Sequence, residues 1–333
     1  MRDWLILNRR KFLGRGAATA VAVLSPRRGF AQTAYPDRVV RLIVPRPAGG
    51  VVDVIAREWG NTVGKTFGAT YVENMGGGGG IIGAAFAARA PADGYTLLVG
   101  TTSELVLSPL ISPQSYDPTT SFEPIAIICA SSASIVVHPS VPATNLNELV
   151  AYAKKNPGRL SYGSAGVDTV SNLAGELFKR LSGLSDVTHV PYRGGGPAMT
   201  DLIADNIPIA TPMMEQSIIA WHRQGLLRIL AVASPQRLAA MPEIATGAEQ
   251  GYPDFVARLF VGLFAPAKTP EAVLAKVADA TQQAKRDPGL QKSFADAGFE
   301  AVAETAPAAA ARYLNAEIVR WKPLLEKTAL NPN

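Results

Sequence analysis

Apolar positions along this chain alternate between short continuous runs and longer stretches with helical spacing. Val39–Val44 is a nearly all-apolar run that ends at Pro45, which is typical of a strand buried on both faces of a parallel sheet. Apolar residues spaced three or four apart follow at Val52, Ile55, Ala56, Trp59 and Val63. This spacing places them on one face and predicts an amphipathic helix directly after the strand.

The loop between this strand and this helix is the first candidate binding element. Gly49 and Gly50 let the backbone turn closely, and Pro45 and Pro47 keep the loop out of both neighbouring elements. The first N–H groups of a helix have no intrahelical acceptor, so they face the loop and favour an anion. Asp53 is expected to orient the loop by accepting N–H bonds rather than to contact an anionic ligand. A plain turn with an acidic helix start is the alternative.

The same unit of strand, loop and helix recurs along the chain. Later loops rich in Gly, Ser or Thr follow apolar runs at Glu73–Gly83, Gly100–Ser103, Gly163–Thr169 and Arg193–Pro197. Strands separated by helices predict an α/β fold with parallel sheets and helices on both faces. Such loops gather at the carboxyl ends of the strands, where open α/β sheets bind ligands. Asn145 with Glu148 predicts a capped helix start in the second half.

The basic charge of the chain belongs mostly to its first 31 residues. The whole chain has 32 basic and 27 acidic residues, a net charge of +5. Residues 1–31 contain seven of the basic residues and one of the acidic ones, so the remainder has 25 and 26, a net charge of −1. A nucleic-acid partner is therefore not expected.

The N-terminal segment has the three parts of an export signal in order. Asn8–Leu13 resembles a twin-arginine motif, Ala17–Leu24 is weakly apolar, and Gly29–Ala31 offers the small residues that a signal peptidase reads. We expect residues 1–31 to be a signal peptide cleaved near Ala31, which predicts a periplasmic protein. No later stretch reaches the ~20 apolar residues of a membrane span.

Several segments together resemble one known family. They are Arg41–Asp53, Glu73–Gly83, Asp93–Gly100, Leu160–Leu173, Val190–Ala198, Gly262–Pro266 and Glu317–Trp321. In this order they are similar to the periplasmic solute-binding proteins of the tripartite tricarboxylate transporter system, the TctC-like or Bug proteins. The resemblance implies a two-lobed Venus-flytrap fold of type II-like topology, with each lobe a mostly parallel sheet and two crossing strands as the hinge. Residues 34–133 and 262–333 would form lobe 1, and residues 134–261 lobe 2.

The resemblance also implies a function. Proteins of this family bind a small carboxylated solute between the lobes, largely through backbone groups and ordered water at the first loop, and deliver it to a membrane permease. We therefore expect a monomeric binding protein without enzymatic activity, cofactor or metal, whose partners are an organic acid and permease subunits. Which acid it binds stays open.

The expected ligand contacts come from the Gly-rich loops and from residues at the carboxyl ends of strands. They are Arg46, Pro47, Ala48, Gly49, Asp53, Thr101, Ser103, Gly163, Ser164, Gly166, Thr169, Tyr192 and Arg193. Hydrogen bonds to a charged group contribute ~1.5–3 kcal/mol each, so a few aimed donors would suffice for micromolar binding at about 8 kcal/mol. Tyr192 either walls the pocket or is a core aromatic.

The chain departs from the family pattern at several of these places. Arg46 stands where an aromatic is common, Met75-Gly76 replaces Arg-Pro, and Asn172 replaces a frequent His. Arg46 either adds a cation for a second ligand carboxylate or lies exposed at the loop tip. Pro208 and Pro212 stand where aspartates are often seen, and the loss of those acids weakens the case for a ligand that carries an ammonium group.

Two other functions are alternatives to solute delivery: a nucleotide-dependent enzyme and a solute sensor. Gly78–Gly83 fits the G-x-G-x-x-G pattern of an exported nucleotide-dependent oxidoreductase, but a run of glycines fits many patterns and Gly100-Thr101 replaces the acid expected after the next strand. A solute sensor that feeds a signalling system would use the same fold.

Hydrolytic and metal chemistry find less support in the sequence. His138, His189 and His222 are scattered, and Cys129 lies in an apolar run with no base near it in sequence. Ser164 lacks the glycine two residues before it that a nucleophile elbow requires.

Overall fold

The computed structural model describes residues 35–302 and 306–326. The predicted signal peptide, residues 1–31, lies outside the described residues. The described part contains two separate β-sheets, each flanked by helices, which confirms the predicted two-sheet α/β fold class. None of the helices in this part is long and apolar enough to cross a membrane.

The strands and helices alternate for most of the chain. The strands are β1 Val40–Val44, β2 Thr70–Asn74, β3 Thr96–Thr101, β4 Phe122–Ser132, β5 Ser134–Val137, β6 Ser161–Ser164, β7 Thr188–Pro191, β8 Ile209–Ala210, β9 Arg228–Val232, β10 Arg258–Pro266 and β11 Glu300–Ala301. The helices are α1 Val51–Val63, α2 Ile81–Ala88, α3 Ser108–Ile111, α4 Leu146–Lys155, α5 Val170–Ser182, α6 Gly195–Ile203, α7 Gln216–Arg223, α8 Glu271–Ala284, α9 Pro288–Asp296 and α10 Pro307–Glu326.

The first sheet has the order β11-β4-β10-β3-β1-β2. Strand β1 lies between β2 and β3 and runs parallel to both, as a buried strand of continuous apolar residues should. Strand β10 is antiparallel to its neighbours β3 and β4, and β11 is antiparallel to β4, so the sheet is mixed and the expectation of a mostly parallel sheet was wrong. The predicted amphipathic helix is α1, and its apolar face is buried as expected at Val52, Ile55, Ala56, Trp59 and Val63.

The second sheet has the order β7-β6-β8-β5-β9. Strand β6 is parallel to β7 and β8, whereas β5 is antiparallel to β8 and β9. Helix α4 begins as predicted, because the Asn145 side chain accepts a hydrogen bond from the Glu148 N–H at 2.9 Å. Helix α7 and the short strand β8 were not predicted.

The chain passes from the first sheet to the second through Ala133 and returns near Ala257. Three buried alanines join the passing segments: Ala133 N–H donates to Ala257 C=O at 2.9 Å, Ala257 N–H to Ala233 C=O at 2.9 Å, and Ala233 N–H to Ala133 C=O at 2.7 Å. These crossings support the expected two-lobed organisation. The exact lobe boundaries at residues 134 and 261 stay a prediction.

The apolar core continues from the first sheet into part of the second, and a smaller cluster lies around α7 and β9. The single cysteine, Cys129, is buried in β4, and burial raises the pKa of its thiol far above the usual value. It is a packing residue, as its apolar surroundings predict.

Candidate functional site

A cavity lies between the two sheets, where loops at the strand ends and the starts of helices from both sheets meet. Its volume is about 100 Å³. One water needs about 10–15 Å³ on the same measure, so the cavity accommodates several waters or a small organic molecule. The lining residues are Arg46, Pro47, Ala48, Gly50, Val51, Val52, Ser103, Ala165, Thr169, Val170, Ser171, Gly194, Gly195, Gly196, Pro197, Met199, Pro212, Met213, Glu215 and Leu259.

Three helices begin at the cavity. The first residues of α1, α5 and α6 are Val51, Val170 and Gly195, and all three line it. Each helix start carries the positive end of the helix dipole, so their convergence favours a negatively charged guest. The N–H groups of Val51 and Val52 have no protein acceptor among the described residues. The cavity therefore has the electrostatics of an anion site built from backbone.

The first-sheet wall contains a buried ion pair. Arg46 Nη2 lies 2.9 Å from Oε2 of Glu104, whose side chain is 0% exposed. Thr101 donates to the same carboxylate from its hydroxyl, at 2.8 Å, and from its backbone N–H. Burial raises the pKa of Glu104, and the Arg46 charge and the Thr101 donors oppose that shift. Arg46 is 15% exposed, so it is not an exposed residue at a loop tip.

The glycine run before α2 packs against this ion pair. A Cβ on Gly80 would lie 2.8 Å from Glu104 Oε2 and 3.2 Å from Arg46 Nη1, and a Cβ on Gly83 would lie 2.7 Å from the Met75 C=O. Gly80 also has a φ of +101°, which favours glycine. Gly80 and Gly83 make room for buried side chains and backbone, and the run is not part of the cavity lining.

The loop before α1 is held by the Asp53 carboxylate. Asp53 accepts hydrogen bonds from the Gly49 N–H at 3.0 Å, from Asn74 Nδ2 at 2.9 Å and from Arg57 Nε at 3.0 Å. Burial opposes ionisation of Asp53, but these hydrogen bonds outweigh it and hold the pKa of the carboxyl below its usual value. Asp53 thus orients the loop, the role expected from the sequence, and lies behind the cavity wall.

The second-sheet wall is built around the start of α5. Thr169 caps this helix by accepting from the Asn172 N–H at 3.2 Å, and its hydroxyl donates to the Gly166 C=O at 2.7 Å. The Val170 N–H reaches across to the hydroxyl of Ser103, which follows the first-sheet strand β3, at 3.5 Å. This contact joins the two walls directly.

A polar network supports this wall from behind. The hydroxyl of Ser164 lies 2.7 Å from His189 Nε2, and the His189 ring stacks on Tyr162 with 4.8 Å between the ring centroids. Burial lowers the pKa of His189, which favours the neutral ring. Ser164 and His189 do not line the cavity, so their pairing positions the β6 loop and does not present a nucleophile to a guest.

The structure brings part of the predicted site together. Arg46, Pro47, Ala48, Ser103 and Thr169 line the cavity. The other predicted residues lie outside the lining: Gly49, Asp53, Thr101, Gly163, Ser164, Gly166, Tyr192 and Arg193. Of these, Tyr192 packs on the smaller core cluster and donates to Asp201 at 2.6 Å, and Arg193 is exposed. Contact of each predicted residue with a ligand stays a prediction.

Glu215 is the main lining residue that the sequence analysis missed. It directly precedes α7 on the second-sheet wall. A sequence signal existed: Ile209–Thr211 is an apolar run followed by Pro212 and an acid at a helix start, which is one more strand–loop–helix unit. The described residues contain no group of His, Cys, Asp and Glu side chains that could hold a metal ion.

Comparisons with known proteins agree with this geometry. The sequence model of the tripartite tricarboxylate transporter family receptor matches residues 55–330. Protein BugT of Bordetella pertussis is 30% identical over 301 residues, covering 88% of this chain and 90% of BugT.

Three solved structures are similar over nearly their whole length. The periplasmic binding protein BugD has a TM-score of 0.83 at 31% identity, covering 88% of this chain and 98% of BugD. MatC of Rhodopseudomonas palustris with bound malate has a TM-score of 0.82 at 29% identity, with 87% and 100% covered. Rpa4515 of R. palustris with adipate has a TM-score of 0.83 at 28% identity, with 88% and 97% covered.

Proposed function

The chain belongs to the tripartite tricarboxylate transporter receptor family, and we propose that it captures a small carboxylate between its two sheets and delivers it to a permease of that transporter type. Proteins of this family are periplasmic solute-binding proteins, so the chain is a binding protein rather than an enzyme, as its sequence predicts. The observation that carries the choice of ligand is the convergence of three helix starts on one cavity.

The cavity supports a carboxylate guest in two ways. The unpaired N–H groups of Val51 and Val52 and the starts of α5 and α6 supply donors and positive dipole ends to an anion. Arg46 adds a guanidinium at the lining, although Glu104 already compensates its charge. Malate and adipate, bound by two similar proteins, are both small carboxylates.

The remaining parts of the proposal concern delivery. We place the protein in the periplasm after removal of residues 1–31, acting as a monomer that presents its ligand-closed form to the permease. A ligand that contacts both walls favours the closed form, because only there are both sets of contacts made.

The first experiment is a thermal-shift and calorimetry screen of the chain from Gln32 onward. The panel contains mono-, di- and tricarboxylates, with sugars, neutral amides and NAD(P) as controls. A ligand at a hundred times its dissociation constant stabilises by about 2.7 kcal/mol, which is a readable shift in melting temperature. Binding of a carboxylate is the expected result, and binding of a dinucleotide alone would overturn the proposal.

A matched pair of variants locates the binding. Gly196 lines the cavity, and a Cβ there meets no atom within 4 Å, so Gly196→Leu adds a bulky side chain at the lining without a clash at its Cβ. Thr200→Leu adds the same side chain to the exposed face of the same helix, outside the lining. We expect Gly196→Leu to weaken carboxylate binding at least tenfold and Thr200→Leu to leave it unchanged. Equal binding by both variants would place the site elsewhere.

A further inference from the structure

Glu215 presents an unsatisfied acceptor at the cavity. Its Oε1 accepts a hydrogen bond from the Ser217 hydroxyl at 2.7 Å, whereas its Oε2 is buried and has no partner among the described residues. Leaving a buried polar atom without a partner is costly, and the cost is larger for a charged group. Burial raises the pKa of this carboxyl, and the Ser217 hydrogen bond opposes the shift.

The neighbours of Glu215 on this wall do not relieve the acceptor. Met199, Pro212 and Met213 line the same side of the cavity and offer no hydrogen-bond donor from their side chains. The one guanidinium at the lining belongs to Arg46, which is already paired with Glu104 at 2.9 Å. Oε2 is buried in the empty protein, so a ligand donor at the cavity reaches this unpartnered acceptor once the Glu215 carboxylate turns toward it.

We infer that Glu215 is a specificity-determining residue, which selects a carboxylate that carries a hydroxyl or ammonium donor at a second position. This inference rests on the proposed function and deepens it. Glu215 supplies an acid on the wall where Pro212 lacks one, so the loss of an acid at Pro212 does not by itself argue against an ammonium-bearing ligand. An acid without such a donor would set its own oxygens or its apolar chain against Oε2 and lose affinity.

The test compares acids that differ by one group. Succinate, malate and aspartate share one carbon skeleton with no donor, a hydroxyl or an ammonium, and butyrate, 4-hydroxybutyrate and 4-aminobutyrate repeat the comparison with the group at the chain end. We expect the wild-type protein to bind at least one donor-bearing acid tenfold or more tightly than its donor-free partner in calorimetry.

Three variants test whether Glu215 causes the preference for donor-bearing acids. Glu215→Leu should bring the ratio of the affinities for the donor-bearing and donor-free acids close to one. Glu215→Gln keeps an acceptor oxygen without the charge, so it should retain most of a hydroxyl preference and lose an ammonium preference tenfold or more. Glu243→Leu removes an exposed acid from the connection between β9 and β10, outside the lining, and should change neither. Apo melting curves verify folding, and Glu215→Gln alone decides the matter if Glu215→Leu does not fold.

The possible outcomes distinguish a failure of the role of Glu215 from a failure of the proposed carboxylate capture. Equal wild-type affinity for donor-free and donor-bearing acids, or an undiminished preference in Glu215→Leu, overturns the role of Glu215 and leaves carboxylate capture intact. Binding of no carboxylate at all overturns the proposed function and the inference together.

Discussion

The two walls of the cavity treat buried charge in opposite ways. On the first-sheet wall, the Glu104 carboxylate receives Arg46 and both donors of Thr101. On the second-sheet wall, the Glu215 carboxylate receives only the Ser217 hydroxyl, and its second oxygen has no partner among the described residues. On the first-sheet wall a cation and two donors compensate the buried carboxylate in the empty protein. On the second-sheet wall one acceptor oxygen is left for a donor that we infer a ligand supplies.

This difference predicts that one wall contributes mainly to stability and the other mainly to ligand selectivity. A compensated ion pair contributes a fixed shape, because removing either partner leaves the other buried and uncompensated. An unpaired buried acceptor lowers the stability of the empty protein and contributes to discrimination between ligands. Variants on the two walls should therefore separate stability from selectivity.

The largest effect is expected from Arg46→Leu. This variant leaves Glu104 buried without its cation, which costs about 3–5 kcal/mol of unfolding free energy. Urea unfolding of the apo protein measures it. The double variant Arg46→Leu/Glu104→Gln removes the orphaned charge and keeps an acceptor for Thr101, so it should recover at least half of the loss. A loss below about 1 kcal/mol in the single variant would show that the pair is not a structural element.

The next effect is expected from Asp53→Asn in the loop of the same wall. The amide keeps one acceptor but loses the charge that binds Arg57 and the Gly49 N–H, which costs about 1–3 kcal/mol at neutral pH.

The pH dependence of this variant checks the cause. Because the folded pKa of Asp53 is lowered, its contribution is complete above the usual value of about 3.9 and disappears as the pH falls through the folded pKa. The difference between wild type and variant should therefore shrink on acidification from pH 7 to pH 3. A constant difference would contradict the ionised role.

A smaller effect, of opposite sign, is expected from Glu215→Gln. The amide removes a poorly compensated charge, so the apo protein should gain about 1 kcal/mol at neutral pH. The folded pKa of Glu215 is raised, so the wild type is relatively more stable below the unfolded pKa and loses that advantage as the pH rises through the folded pKa. Denaturation of wild type and variant at pH 5 and pH 8 measures both the gain in unfolding free energy and its dependence on pH. A variant less stable than the wild type at pH 8 would contradict the view that the Glu215 charge is poorly compensated.

The smallest effect is expected from Ser103→Ala, which deletes the acceptor of the Val170 N–H. The donor–acceptor distance of 3.5 Å indicates a weak bond, so the unfolding free energy should fall by only about 0.5 kcal/mol. Hydrogen exchange at the Val170 amide should accelerate, whereas exchange at the Glu148 amide, capped by Asn145, should not change. Unchanged exchange at Val170 would show that this contact does not join the walls.

The parts of the fold that the sequence predicted are those with local causes. The buried face of α1 follows from apolar spacing, and the start of α4 follows from Asn145 and Glu148 three residues apart.

The electrostatics of the site has causes that are distant in sequence. Arg46 and Glu104 are 58 positions apart and meet only because β1 and β3 are neighbours in the sheet. Sequence spacing does not specify that adjacency, so Arg46 could not be assigned between a ligand cation and an exposed residue. Helix α7 is short and its apolar residues Ile218 and Ile219 are adjacent, which explains why the loop with Glu215 was missed.

The three alanines at the crossing of the two sheets have a mechanical consequence. Ala133, Ala233 and Ala257 form a closed triangle of backbone hydrogen bonds with no side chain larger than a methyl group between them. A rotation of one sheet relative to the other that preserves these bonds keeps the two sheets joined at this triangle. Because the bonds are made by backbone atoms, substitutions of side chains in the walls of the cavity do not remove them.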